Sequence, residues 1–207
     1  MTRLLTWWRR RPLLFLGFGV LAAPFVLAYL PGSKSWIGPA DAATRSRMGS
    51  IQRALGPLAS VLASIEWVRF RIALHAGDTP RAYAIAEGAL ELDPLSERGW
   101  LDYAQHLIFE RGSFLENETT EGRRGWIQAG LDVLARGETL TASPGELAFT
   151  AGLIRAGFLA AIPDEDLRWP GGPAALMAQG REDLLRSAAA GRKGARETLE
   201  SLDEAAK

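Results

Sequence analysis

The chain has 207 residues, 47% hydrophobic and 23% charged, enough to build one packed core beside an additional terminal segment. Its 24 basic and 24 acidic residues cancel, yet Arg3, Arg9, Arg10, Arg11 and Lys34 stand in a stretch without acid. The remainder is therefore mildly acidic and lacks the basic face that nucleic-acid binding needs, while the absence of cysteine excludes disulfides, thiolate metal sites and a thiol nucleophile.

Residues 1–12 form a basic N-terminus, and residues 13–30 read LLFLGFGVLAAPFVLAYL without a charge. At about 1.5 Å per residue such a helix is roughly 27 Å long, close to the hydrocarbon thickness of a bilayer. Gly17, Gly19 and Pro24 are compatible with a membrane helix, and Trp7, Trp8, Tyr29 and Trp36 bracket the run as interfacial rings would. The expectation is a single-pass anchor in a cell inner membrane, the N-terminus cytoplasmic by the positive-inside rule and the C-terminal domain periplasmic. The richness in arginine and alanine fits GC-rich bacterial coding. A cleaved signal peptide also fits the basic start, with Ala40-Asp41-Ala42 as a small-x-small site. That site lies some ten residues beyond the run, and the run exceeds the usual apolar region of about 7–15 residues, so a retained anchor is preferred to cleavage and to a buried core helix.

Residues 31–47 contain Pro31-Gly32-Ser33 and Gly38-Pro39 and read as a linker before a helical domain over 48–190. Ile51, Leu55, Leu58, Leu62, Ile65 and Ile72 recur in steps of three and four, interrupted by Pro57 and Arg69, which predicts one or two helices up to Ala76. Gly77-Asp78-Thr79-Pro80 stops one helix and starts the next, Asp93-Pro94 stops that one, and Ser96 is placed to cap a third running to Glu110. Residues 112–122 read as an acidic loop. Helical pattern resumes at Trp126, breaks at Ser143-Pro144, returns from Glu146 to Ile162, and breaks again over 163–173. Alanine-rich segments follow, with 191–207 as a C-terminal helix or tail. Nothing alternates with period two, so the expected class is all-α.

Two windows of about 34 residues align as helix pairs. In the first, Gly77-Asp78 is the inter-helix turn, Ala82 and Ala89 are small residues at close-packing positions, and Ala89-Leu90-Glu91-Leu92-Asp93-Pro94 closes the unit. In the second, Trp100, Tyr103, Ala104 and Leu107 give a large-large-small-large pattern. These features, over residues 63–112, resemble the tetratricopeptide repeat family; Trp67 and Phe70 stand one step later than its pattern, and an insertion follows Gly112. The resemblance implies an α-solenoid of antiparallel helix pairs whose first helices line a groove for a protein or peptide partner. Carried position by position, the groove candidates are Arg98, Leu101, Gln105 and Ile108, with Trp67 and Arg71 from the preceding helix. Leu101, Ile108 and Trp67 can equally be core residues at helical spacing.

Catalytic signatures are missing from the sequence. His75 and His106 are read as lacking the i, i+4 partner or flanking carboxylate of a metal site or general base. Glu116, Glu118 and Glu121, and Asp164-Glu165-Asp166, fall in expected loops without calcium-ligand spacing, and neither a Gly-x-Ser-x-Gly elbow nor a phosphate loop occurs. Asn117-Glu118-Thr119 is a glycosylation sequon, relevant only in a eukaryotic secretory setting. No cofactor is expected. Two functions follow: a non-catalytic membrane-tethered scaffold or adaptor in a bacterial envelope assembly, or a small structural subunit of a membrane protein complex.

Overall fold

The structure is a computed structural model that describes residues 50–205, and every regular element among them is helical. The basic N-terminus, the apolar run 13–30 and the linker 31–47 lie outside the described residues. Among the described residues no helix is long and apolar enough to cross a membrane.

A short helix α1 (Ser50–Leu55) precedes α2 (Leu58–His75) and α3 (Thr79–Leu92), an antiparallel pair joined by a tight turn. The Asp78 side chain accepts a hydrogen bond from the Arg81 amide and Pro80 occupies the first turn, so the start of α3 is fixed by the residues themselves. The pair closes through small residues: Ala59, Ala63 and Ala73 of α2 and Ala82, Ala86 and Ala89 of α3 are all buried. Small side chains on both faces let the two backbones approach, which is how alanine replaces bulk in this contact.

Helix α4 (Glu97–Gln105) continues without a break into a wider π-helical segment, His106–Arg111. Ser96 stands at the N-cap of α4, but its side chain makes no capping hydrogen bond. Trp100 is held instead, its indole Nε1 donating to the Pro94 carbonyl at 2.9 Å in the interior. Helix α5 (Thr120–Leu140) starts earlier than the apolar pattern suggests, because the Thr119 hydroxyl accepts from the Gly122 amide and caps it. The polar loop is correspondingly short. Arg111 pairs with Glu116 at 2.9 Å, and the Asn117 amide donates to the Arg111 carbonyl, which ties the loop to the π segment.

The C-terminal half contains α6 (Pro144–Gly152), a second π segment (Leu153–Phe158) with a single 3-10 turn, α7 (Asp164–Leu167), α8 (Gly172–Ala189) and α9 (Ala195–Ala205). Asp164-Glu165-Asp166 thus opens a short helix rather than lying in a loop. The break over 163–173 is anchored, since Leu167 and Trp169 are buried. Ala195 and Leu199 of α9 are buried, and Arg181 pairs with Asp203, so α9 packs on α8.

Helix α5 is the centre of the packing and touches α4, the first π segment, α6 and α7. Its apolar period, Ile127, Leu131 and Leu134, is fully buried. Two glycines set its closest approaches: a Cβ at Gly130 would meet Ile108 Cγ1 at 2.4 Å, and one at Gly137 would meet Trp100 Cγ at 2.6 Å. Neither position has room for a methyl group.

Candidate functional site between α2 and the first π segment

Three faces of α2 serve different neighbours. Ala59, Ala63, Phe70 and Ala73 face the core, while Trp67, Arg71, Leu74 and His75 border a cleft of about 310 Å3 whose other wall is Asp102, His106 and Glu110. Phe70 reaches both, as the floor. Its ring meets Trp67 edge-on with centroids 5.7 Å apart and His106 edge-on at 5.4 Å. The aromatic contacts continue inward through Tyr103, Tyr83 and Trp126, with the Arg111 guanidinium 5.2 Å from the Trp126 ring.

The rim is charged. Arg71 lies on the α2 side, and Asp102, which also meets Arg98 at 3.5 Å, lies on the α4 side beside Glu110. His106 is buried, with its Nδ1 2.7 Å from Glu110 Oε2 and its Nε2 buried without a hydrogen-bond partner. The sequence reading of the histidines is corrected here: Glu110, four residues after His106, is the i+4 carboxylate partner, and the spacing alone could have revealed it.

Behind the cleft, two tyrosines packed in the core are held away from ionisation. Burial is the main cause for both; it pushes Tyr103 up to about 12, aided by the charge of Glu87, and raises Tyr83 despite the nearby Arg111 cation. The phenols are therefore neutral at physiological pH, and the Tyr83 hydroxyl is buried without a partner.

The six residues expected to line a groove separate. Trp67 and Arg71 border the cleft, and Arg98 reaches its edge through Asp102. Gln105 is exposed but does not border the cleft; Leu101 is half-buried and packs against the core. Ile108 is only 2% exposed and abuts Gly130, so it belongs to the interior. For Ile108 the cause is the π segment, where each residue advances less around the axis than in an α-helix, so the line Asp102, His106, Glu110 stays over the cleft while Ile108 turns inward; Leu101 and Gln105 precede that segment and are turned away by α4 itself. Asp102, His106 and Glu110 were the residues missed.

What the cleft offers is an aromatic floor with opposite charges on facing walls. Among the described residues no group of three or more ligating side chains is placed to hold a metal ion. Compared with protein-family models, with curated proteins and with solved structures, the chain has no match in any of the three.

Proposed function

We propose that the chain is a non-catalytic, membrane-tethered scaffold of the tetratricopeptide-like kind, which captures a protein or peptide segment in a bacterial envelope assembly. The carrying observation is the cleft between α2 and the first π segment, bordered by successive first helices of two helix pairs and carrying Arg71 opposite Asp102 and Glu110. Supporting the repeat reading are the alanine-mediated α2 and α3 pair, the Asp78-capped turn and the Asp93-Pro94 terminator. The tether rests on the uncharged run 13–30 with its basic flank, which would hold the domain on the periplasmic side of an inner membrane. Tethering raises the effective concentration of whatever the cleft binds.

The test is capture from mildly crosslinked membranes using the full-length chain and an Arg71→Glu, Asp102→Lys double variant. Both residues are exposed, so folding should persist. Loss of one specific captured protein with unchanged helicity supports recognition through the cleft; identical capture contradicts it. The second reading, a small structural subunit of a membrane complex, draws on Phe109 and Phe158, which are 42% and 46% exposed and whose rings pair edge-on at 5.1 Å. Capture unchanged by the cleft variant but lost on Phe158→Glu would favour it.

A further inference from the structure

The third face of α2 carries Leu58, Val61, Leu62, Ile65, Val68 and Ile72, each between 39% and 63% exposed. Their spacing is that of a heptad seam: Leu58, Ile65 and Ile72 are seven apart, with Val61 and Val68 between them, and Leu62 widens the stripe on one side. At about 100° per residue they fill an arc of roughly 120°. The core and cleft residues of α2 lie outside that arc, and α1 leaves the seam open. Such a face is where another helix pair would stack if the array continued before α2, and solenoid ends normally carry polar caps.

We infer that this seam is a self-association surface, on which α2 of a second copy packs across a two-fold axis near Ile65. Three observations favour a second copy. The six side chains expose on the order of 500–600 Å2, so two copies bury at most about 1,000–1,200 Å2, the size of a weak, reversible protein interface. The centre of the seam is apolar and β-branched, which suits knobs-into-holes contact with itself. The charges are compatible too: Arg69 stands inside the stripe, between Leu58 and Leu62 around the axis, and is paired with Glu66 at 2.6 Å; an antiparallel crossing at Ile65 sets it opposite Val61 of the other copy, where its aliphatic stem packs while its charge stays with Glu66, rather than beside its equivalent. A bilayer surface fits less well, because an interfacial helix carries a polar face rich in lysine and arginine opposite its apolar one, and here the side of α2 opposite the stripe is packed into the core through Ala63 and Phe70. The association is isologous and closes as a dimer, leaving the cleft on the adjoining face of α2 in each copy.

The absence of cysteine makes the test direct. In the full-length chain in detergent, Ile65→Cys should form a disulfide-linked dimer under mild oxidation at least ten times faster than Gln128→Cys, which is exposed on α5. Light scattering should give a dimeric mass for the native chain. Val68→Glu should return the monomer with its helicity unchanged. A monomeric native chain, equal crosslinking at the two positions, or a Val68→Glu chain that is still dimeric would each overturn the inference. Loss of folding in Val68→Glu would also overturn it, since the seam would then be covered within one chain.

Discussion

Helices α2 and α5 are close in length, 18 and 21 residues, and each carries apolar residues at steps of three and four, yet they spend those residues in opposite directions. In α5 the period is the core: Ile127, Leu131 and Leu134 are enclosed by α4, the π segment and α6. In α2 the period Leu58, Leu62, Ile65 and Ile72 faces outward, and burial falls on Ala59, Ala63, Phe70 and Ala73. An apolar stripe states that a surface is to be covered, and leaves open by what. Where a helix closes against its neighbour through alanines, the stripe of bulky residues is free for another use.

The widest separation of the two helices is expected on truncation. Leu134→Ala in α5 should cost about 2–5 kcal/mol, read by denaturant unfolding of the full chain, because it removes a side chain from a closed interior. Close-approach sites come next. Gly130→Ala should cost about 1–3 kcal/mol by driving a methyl group into Ile108, and Ala89 to a bulky residue should cost a similar amount by prising α3 from its neighbours. An unchanged circular dichroism melt for the Ala89 variant would refute the close contact.

A pH series sharpens the comparison more gently. Tyr103 is in the core beside the cleft, and its phenol ionises at about 12 when folded against an ordinary value of 10.0. Below pH 10 both states are neutral and the stabilisation is complete. Above it the unfolded chain releases a proton that the folded chain keeps, so stability falls as pH rises from about 10 towards 12, and Tyr83 acts in the same direction. Tyr103→Phe should flatten that part of the profile; an unaltered slope would show that the buried phenol is not its source. The smallest effect belongs to the outer stripe, where Ile65→Ser, measured on the dilute chain, should change stability by no more than about 0.5 kcal/mol.

Much of the helical order was legible from local chemistry. Gly77, Asp78 and Pro80 mark a turn and a capped start that need no tertiary help, and Asp93-Pro94 stops α3 by removing the conditions for another turn. The orientation of α2 was not legible, since the alternation of alanine with bulky residues gives two candidate faces and only the partner helix decides between them. The site was half legible. Trp67 and Arg71, expected at a groove, do border the cleft although Trp67 stands one step off the repeat pattern, whereas Ile108 was set by an α-helical extrapolation through a segment that winds as a π-helix, and periodicity carries no mark of that change. His106 and Glu110 did carry a mark, their i, i+4 spacing.

The central claim is that α2 presents three faces with three roles, and maleimide labelling of single cysteines along residues 58–75 of the full-length chain tests it most directly. Positions 59, 63 and 73 should label slowly at every dilution, 67, 71 and 74 at a rate independent of dilution, and 61, 65, 68 and 72 faster as the chain is diluted. Slow labelling of the last group at all dilutions, matching position 63, would contradict the account by showing that the stripe is core.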